Sequence, residues 1–221
     1  MPFGRFKECI AIALRRYRML QKLLGITLVT VGLSLAASAM AADPAAICAG
    51  CHGKDGVSTD ANIPTIAGLS PDYVKGTLDK YKKKTRPAIE VTIASGDKKG
   101  TKSDMYKAIA DLSDADIASV ANTYSALKYV PTKQTVDPAL AAQGKDIQDK
   151  LCAKCHTEGG SVAEDDCSIL AGQPAAYLKT QLLDYKAGKR PVPTKMQPKL
   201  DQVQPTELDA LVAFYASQSP K

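Results

Sequence analysis

The sequence contains no tryptophan, and its 221 residues include only 3 Phe and 9 Tyr. Because large aromatic side chains bury the most surface per residue, two small cores would have little to fill them, and we expect something other than side chains to occupy part of the interior. Outside the N-terminus, no apolar run is long enough to span a membrane. The chain also lacks a Gly-x-Gly-x-x-Gly segment, which excludes the common dinucleotide-binding turn.

The N-terminus has the three regions of an export signal. Residues 1–22 are rich in Lys and Arg, an apolar run follows from Leu23 to Leu35, and Ala39-Met40-Ala41 provides a small-residue cleavage pattern. This apolar run is too short to be a transmembrane helix. We therefore predict a signal peptide at 1–41, a mature chain that begins near Ala42, and a location in the periplasm.

Most of the net charge lies in this leader. It holds six of the 29 Lys and Arg residues but only one of the 23 Asp and Glu residues. The remaining chain has 23 basic and 22 acidic residues, which is a net charge of +1. The sequence pI of about 8.9 is therefore no indication of nucleic-acid binding.

The chain after the leader is an internal duplication. The segment Cys48-Ala49-Gly50-Cys51-His52 recurs 104 positions later as Cys152-Ala153-Lys154-Cys155-His156. At the same offset, residues 66–87 match residues 170–191, with many identical positions. Agreement of this kind indicates two copies of one structural unit.

The two copies differ in length at one place. Met105 pairs with Met196 at an offset of only 91, so the first copy has 13 additional residues before Met105. These residues are rich in turn formers, and we expect them to form a surface loop. The segment at 129–136 is the best linker, which predicts two domains at 42–133 and 134–221.

Helix signals dominate both copies, and no segment alternates clearly like a strand. Asp43-Pro44 and Asp137-Pro138 each combine an N-cap residue with a proline at the first helical position. Ser113 with Asp116 is a capping pair, and Pro205 is typical of a helix start. The apolar residues of the later segments recur with helical spacing. The predicted fold class is all-α.

Cys-x-x-Cys-His is the attachment motif of c-type haem. Residues three apart on a helix share one side, so both sulfurs reach the two vinyl groups of one porphyrin, and the following His lies under the iron. We therefore predict two covalent haem c groups. The cofactor-binding cysteines are Cys48 and Cys51 in the first copy and Cys152 and Cys155 in the second. The proximal iron ligands are His52 and His156.

Two other interpretations of the cysteine pairs are weaker. A zinc site would require both pairs to converge on one ion, which a repeat with one pair per domain disfavours. A thioredoxin-like dithiol is expected in a βαβ setting, and the predicted elements do not provide one. The fifth cysteine after the leader, Cys167, has no spare partner for a disulfide, and we interpret it as a small residue or a free thiol.

The distal iron ligands follow from an inventory of side chains. His52 and His156 are the only histidines, so the chain cannot supply two histidines to each iron. After the leader, Met105 and Met196 are the only methionines, and they lie at matching places ahead of the last helix of each copy. An isolated Met is usually core filler, but one Met per motif predicts iron ligation. Ligation by His and Met fills both axial positions, which favours electron transfer over chemistry at the iron.

With both motifs placed, the duplicated chain resembles the dihaem cytochromes c, namely cytochrome c4 and the cytochrome subunit of flavocytochrome c sulfide dehydrogenase. Segments of the second copy are similar to the latter: Ile169 to Gln173, Tyr177 to Lys179, Arg190-Pro191, Lys195-Met196, Lys199-Leu200 and Leu208 to Gln218. Cytochrome c4 shares the Leu-Ala-Gly-Gln and Tyr-Leu parts. The resemblance implies two tandem class I cytochrome c domains packed together. It also implies a heterodimer with a flavoprotein subunit that carries FAD and oxidises sulfide.

Several polar side chains are candidates for contacts around the haems. In c-type cytochromes, a backbone carbonyl at the place of Pro64 often holds the ligand His, whereas the second copy has Ser168 there. Arg86 and Arg190 either pair with haem propionates or form solvated helix ends. We interpret Lys82-Lys83-Lys84 as a solvated face rather than a docking patch.

Three functions remain open, and the chain has no catalytic site of its own. As an enzyme subunit, it would take electrons from the FAD-containing sulfide dehydrogenase and pass them to a soluble cytochrome or another acceptor. As a free cytochrome c4-like carrier, it would shuttle electrons between a respiratory complex and a terminal oxidase. As a structural or metal-binding dithiol protein, it would be colourless.

Overall fold

Helices account for nearly all of the regular structure in the described part of the chain, which confirms the predicted all-α class. The structure is a computed structural model that describes residues 43–220, and the predicted signal peptide at 1–41 lies outside them. Both copies of the repeat belong to one compact unit, Asp43–Lys221. None of the helices described in residues 43–220 is long and apolar enough to cross a membrane.

The first half has four helices and a two-stranded hairpin within its described residues. In chain order they are α1 (Ala46–His52), α2 (Pro71–Lys82), β1 (Val91–Thr92), β2 (Lys102–Ser103), α3 (Met105–Ala108) and α4 (Asp114–Ser125). In the second half, α5 (Pro138–Ile147) precedes the second motif. The helices α2, α3 and α4 are repeated as α6 (Ala175–Lys186), α7 (Gln197–Leu200) and α8 (Leu208–Ser217). The second half adds a π turn at Gln148–Cys152 and short 3-10 turns at Thr157–Gly159, Ala163–Asp165 and Pro205–Glu207.

Most of the predicted capping residues begin the helices as expected. The Ser113 hydroxyl accepts the Asp116 N–H at 3.1 Å, and the Asp116 carboxylate accepts the Ser113 N–H at 2.8 Å, which completes a capping box. Asp137 accepts from the first turn of α5 at 2.8 and 3.3 Å. Asp43 caps a turn instead, so α1 begins at Ala46, two residues later than the Asp-Pro pair predicts.

Each half has its own hydrophobic core. The first is formed mainly by Leu78, Ile109, Leu112, Ile117, Val120 and Tyr124. The second is formed by Tyr177, Leu178, Leu211, Val212, Phe214, Tyr215 and Ala216. The first cysteine of each motif packs against the core of its own half. The apolar residues that recur with helical spacing in the sequence therefore form the cores against which the motifs pack.

The additional residues of the first half form a hairpin that folds onto the first motif. Strands β1 and β2 pair antiparallel. The tip that joins the two strands is exposed, as predicted for a surface loop. The N–H groups of Ala94 and Ser95 both donate to the Gly50 carbonyl, at 2.9 and 3.2 Å. The Ser95 hydroxyl donates to the Ala49 carbonyl at 3.2 Å. The prediction of a surface loop is confirmed by the exposure of residues 94–102. The sequence did not predict that this segment also satisfies carbonyls at the end of α1 that have no helical partner.

Hydrogen bonds join the two halves directly. The Gln173 amide accepts from the Thr65 N–H at 3.0 Å and donates to the Thr65 carbonyl at 2.8 Å, although the residues are far apart in sequence. The Tyr177 N–H donates to the Ala61 carbonyl at 3.0 Å. Tyr129, in the predicted linker, is buried against residues of both halves. The exact boundary between the domains near residue 133 stays a prediction.

Candidate haem-binding sites

The first Cys-x-x-Cys-His motif is the last part of helix α1. His52 is buried, and its Nδ1 donates to the Pro64 carbonyl at 2.8 Å, as the position of Pro64 predicts. Burial lowers the pKa of His52, although the bond to Pro64 opposes this shift. The imidazole is therefore neutral at physiological pH, with Nε2 free to bind a metal ion.

Cys48 and Met105 pack against the same core cluster. Burial raises the pKa of the Cys48 thiol to about 11. Met105 is the first residue of α3, which is capped by the Asp104 side chain. The structure thus packs the predicted distal ligand and the first cysteine against the same core. Tyr124 donates to the Ala45 carbonyl at 2.9 Å and fixes the start of α1 against α4.

The second motif forms one helical turn, closed by the bond from the His156 N–H to the Cys152 carbonyl at 3.0 Å, but it is not the end of a regular α-helix as the first motif is. The chain forms a π turn up to Cys152, and His156 has the non-helical angles φ −116° and ψ 72°. Gln148 accounts for the difference, because its side-chain amide donates to the His156 carbonyl at 2.7 Å. The Tyr215 hydroxyl in turn donates to Gln148. Departures of this kind from α-helical geometry are often found at functional sites.

The ring of His156 is less restrained than that of His52. Its Nδ1 is buried and has no hydrogen-bond partner among the described residues. Burial lowers the pKa of His156, while Asp165 acts in the opposite direction. Asp165 accepts hydrogen bonds from the N–H and hydroxyl of Thr157 instead, at 2.7 and 2.8 Å. His156 is thus also a neutral imidazole that can bind a metal ion.

Met196 lies directly before α7 and is half-buried. Helix α7 contacts the π turn that ends at Cys152, so the second methionine approaches its motif through this helix. Cys155 is exposed, and Cys167 is a free, half-buried cysteine. Met196, which matches Met105 in the repeat, is therefore the residue before the helix that contacts the start of the second motif.

Arg86 and Arg190 are buried, with 3% and 8% of their surfaces exposed, so the interpretation as solvated helix ends is wrong. Arg86 donates to the Tyr177 hydroxyl at 3.0 Å and to the Gln181 side chain at 2.9 Å, both in the other half. Arg190 donates to the same Gln181 oxygen at 2.6 Å and stacks over the Tyr185 ring at 4.3 Å. Both guanidinium groups therefore meet at the contact between the halves.

Among the described residues, no carboxylate pairs with these two buried cations. Within residues 43–220, neither arginine forms an ion pair with a carboxylate, and the Nε of Arg86 is buried without a partner. Burial alone would raise the pKa of the nearby Tyr73 phenol, but Arg86 and Arg190 lower it to about 7. A buried guanidinium without a counter-charge is costly. The residues present at this place therefore fit the carboxylates of a haem group.

The three lysines at the end of α2 contact residues of their own half. Lys82 donates to the Leu112 carbonyl, and Lys83 pairs with Asp79 at 2.9 Å. Lys84 lies over the Tyr106 ring at 5.9 Å. These contacts disfavour a docking patch, in line with the interpretation from sequence.

Two family models match the chain, one in each half. The model for cytochrome c matches residues 41–122. The model described as cytochrome c oxidase, cbb3-type, subunit III matches residues 139–214. The chain therefore consists of two cytochrome c domains, one for each copy of the repeat.

Cytochrome c4 of Pseudomonas aeruginosa is 32% identical over 176 residues, which are 75% of this chain and 80% of that protein. The crystal structure of reduced recombinant cytochrome c4 from Pseudomonas stutzeri superposes with a TM-score of 0.63 at 27% identity. This superposition covers 79% of this chain and 94% of that one. The chain belongs to the cytochrome c4 family of dihaem electron-transfer proteins.

Two further relatives have names that refer to sulfur compounds. The thiosulfate dehydrogenase electron acceptor of Thiomonas intermedia is 29% identical over 189 residues, which are 80% of this chain and 81% of that protein. The cytochrome subunit of sulfide dehydrogenase of Chlorobaculum tepidum is 49% identical, but over only 39 residues, or 18% of this chain and 34% of that protein. The likeness to the sulfide dehydrogenase subunit is thus local, whereas the likeness to cytochrome c4 spans most of the chain.

Proposed function

We propose that this chain is a periplasmic carrier of single electrons with one covalent haem c in each half. Cys48 and Cys51 would hold the first haem, with His52 and Met105 as its axial ligands. Cys152 and Cys155 would hold the second haem, with His156 and Met196 as its axial ligands. The observation that carries this proposal is His52, a buried neutral imidazole fixed through Nδ1 by the Pro64 carbonyl at 2.8 Å.

The residues around each motif support electron transfer and not chemistry on a substrate. A haem with His and Met ligands exchanges one electron between its ferric and ferrous states without opening a coordination position. The protein keeps each His neutral by burial, and it packs the first cysteine of each motif against an apolar core. The thioether linkages would then keep the iron in a rigid and largely dry setting, which favours rapid exchange of electrons.

Arg86 and Arg190 support a close approach of the two haems. Both are buried at the contact between the halves, share Gln181 as an acceptor and lack a carboxylate partner in the described chain. We propose that they bind the propionate groups of the haems, because Arg pairs well with carboxylates. If the propionates of both haems meet at Arg86 and Arg190, the edges of the two haems lie close together at the contact between the halves.

For the electron donor, we propose the FAD-containing subunit of a sulfide dehydrogenase. The basis is the resemblance of the second half to the cytochrome subunit of that enzyme, together with the 49% identity over 39 residues. The chain itself has no dinucleotide-binding turn, so a flavin would have to be on a partner subunit. A stable heterodimer would bury above roughly 1,000 Å² of surface, and a soluble cytochrome or another acceptor would take the electrons.

A free carrier between a respiratory complex and a terminal oxidase is the second candidate. The specific observation in its favour is the 32% identity to cytochrome c4 across 75% of the chain.

Purification of the native protein under mild conditions separates the two candidates. For the sulfide dehydrogenase subunit, we expect a yellow flavoprotein to co-purify, and sulfide should reduce both haems rapidly in the complex but slowly in the isolated cytochrome. Recovery of a flavin-free protein that feeds a terminal oxidase at full rate would instead identify a free carrier. A preparation without covalent haem would reject both.

A further inference from the structure

The two predicted distal methionines differ in how firmly the protein holds them. Met105 packs against the hydrophobic core of the first half, whereas Met196 is not part of the second core cluster. Most of residues 191–199, which surround Met196, are exposed. A segment with few buried apolar contacts opens at a low cost in free energy. The hydrogen bonds around each methionine therefore decide whether it stays in place.

Contacts on both sides hold Met105. Strand β2, which pairs with β1, ends two residues before it. The Asp104 carboxylate accepts the Lys107 N–H at 2.9 Å and caps α3. The Tyr106 hydroxyl donates to the Arg86 carbonyl at 2.9 Å and joins α3 to the end of α2. Movement of Met105 away from the core would have to break these contacts.

The cap is absent at Met196 for two reasons. Lys195 stands where the first half has Asp104, so the acceptor is lost. Pro198 stands where the first half has Lys107, and proline has no N–H to donate. Helix α7 accordingly has no hydrogen bond from a capping side chain.

The other contacts are missing as well in the described part of the second half. No strand precedes the methionine there. Gln197 replaces Tyr106, and its amide donates to Asp201 at 2.7 Å, within its own segment. In the described part of the chain, the hydrogen bonds of residues 191–199 all join residues 193–202 to one another. Nothing outside the segment is hydrogen-bonded to it.

The far end of α7 is fixed instead. Leu200 and Val203 are buried, and the Lys186 ammonium group donates to the carbonyls of both, at 2.7 and 2.6 Å. The segment can therefore turn about residue 200 and move Met196 outward while the second core stays folded.

The charges beside the second methionine favour an anion. Lys195 and Lys199 flank it, are exposed, and form no ion pair within residues 43–220. In the first half, Lys102 and Lys107 both pair with Glu90, at 3.1 and 3.8 Å. A small anion that approaches the second methionine thus meets two unpaired cations, which raise its local concentration.

From these contacts, and resting on the proposed ligation by His156 and Met196, we infer that residues 191–199 open and that a small anion such as azide binds at the place that Met196 leaves. The exchange is a substitution without oxidation or reduction, in which the methionine sulfur leaves the iron and the anion takes its position. Met105 stays bound in the first half. The second half is therefore a binding site for a small anion in addition to an electron carrier.

Titration of the oxidised holoprotein with azide tests the inference, with sodium chloride at equal ionic strength as the control. The optical band from methionine ligation should disappear in two steps of similar size. Their azide midpoints should differ by roughly tenfold or more, the factor that a cap and a hydrogen bond together provide. Loss of the band in a single step would overturn the inference. An equal loss in chloride would be an effect of salt and would also overturn it.

Two variants at Asp104 assign the steps to the halves. Asp104→Ala removes the cap of α3, whereas Asp104→Asn removes the same charge but keeps a capping side chain. The azide midpoint of the second step should be roughly fivefold lower in Asp104→Ala than in Asp104→Asn, as expected for one cap. The first step should be the same in both variants. A difference confined to the first step would show that Met105 is released first, contrary to the inference.

Amide hydrogen exchange measures the opening without any added ligand. The Leu200 N–H donates to the Met196 carbonyl at 2.9 Å, and the Ile109 N–H donates to the Met105 carbonyl at 3.3 Å, so these two amides form a matched pair. In the oxidised holoprotein, Leu200 should exchange faster than Ile109 by roughly tenfold or more. Equal exchange, or faster exchange at Ile109, would contradict the opening of residues 191–199.

Failure of this inference is distinct from failure of the proposed function. Before azide is added, the mass of the holoprotein and the strength of its methionine band show whether two haems with methionine ligands are present. A band from only one haem would reject the proposed ligation and the inference with it, whereas a full band that is lost in one step rejects the inference alone. If Asp104→Ala does not fold, the titration and the amide exchange of the unchanged protein still decide the question.

Discussion

In the first half, the haem motif ends a regular helix, its histidine is tied to a carbonyl, and a hairpin covers the peptide between the cysteines. In the second half, the same motif follows a π turn, its histidine has no such tie among residues 43–220, and Lys154 is exposed where the first half has Gly50. The two copies thus retain the residues that define the motif but differ in the contacts around it. A duplicated chain can therefore change the environment of one site while both sites keep the same motif.

Removal of the cysteines of one half should have the largest effect on the difference between the halves. We expect Cys48→Ala with Cys51→Ala to leave one haem, on the second half, and Cys152→Ala with Cys155→Ala to leave one haem, on the first. The reason is that each pair supplies both sulfurs for one haem. Intact mass of the exported protein measures the number of haems.

Cys167→Ser is the control for these variants and should keep both haems. A protein that retains two haems after loss of either pair would contradict the assignment of that pair.

Replacement of the methionines should have the next largest effect. Met105→Ala and Met196→Ala should each lower the potential of one haem, remove its methionine band and allow cyanide to bind the iron. Because Met105 also packs against the first core, Met105→Ala should further lower the free energy of unfolding, by about 1–3 kcal/mol. Met196 is not part of the second core cluster, so its loss should cost less.

Met105→Leu separates ligation from packing. It should preserve most of the stability, because leucine has a similar volume, but it should still abolish the methionine band. If Met105→Leu keeps the band at full strength, Met105 is not the distal ligand.

Arginine substitutions test a smaller difference between the halves. Arg86 binds Tyr177 and Gln181 across the contact, whereas Arg190 binds Gln181 within its own half. Arg86→Ala should therefore lower the free energy of unfolding by about 2–4 kcal/mol, and Arg190→Ala should lower it by less. Denaturant unfolding of the holoprotein measures both values.

Arg86→Lys is the control, since it keeps the positive charge but not the planar group that serves two acceptors. We expect the free energy of unfolding of Arg86→Lys to lie between that of the unchanged protein and that of Arg86→Ala. Equal losses for Arg86→Ala and Arg190→Ala would show that the cross-half bonds contribute nothing measurable.

Features that depend on near neighbours in sequence could be predicted, and features that depend on distant ones could not. The capping box of Ser113 and the cap at Asp137 follow from residues three positions apart or less. The carbonyl at Pro64 was also expected, but from the resemblance to c-type cytochromes. The caps are properties of short segments, which sequence patterns can predict.

Three features required the tertiary structure. The strands of the hairpin have only two residues each, which is too short for a visible alternation. The π turn depends on Gln148, whose partner Tyr215 lies in α8. Arg86 is buried only because the other half covers it. Only the hairpin gave a signal in the sequence, namely the unequal offset of the two copies. That offset indicated an insertion but not its conformation.

The smallest expected effect concerns the hairpin over the first motif. A side chain at Gly50 would place its Cβ 3.1 Å from the Ile93 side chain, which is tighter than ordinary packing, so Ile93 would have to shift. Gly50→Lys should therefore push the hairpin away and weaken the bonds from Ala94 and Ser95 to the Gly50 carbonyl. The overall free energy of unfolding should change by less than about 1 kcal/mol, because lysine favours the helix more than glycine does.

Amide hydrogen exchange at Ala94 and Ser95 measures this opening, and both should exchange at least several-fold faster in Gly50→Lys. Lys154→Gly is the matched control in the second half, where no hairpin lies over the motif, and it should leave these two amides unchanged. Unchanged exchange in Gly50→Lys would mean that the hairpin is held by contacts other than those at Gly50. The difference between Gly50 and Lys154 would then be unrelated to the hairpin.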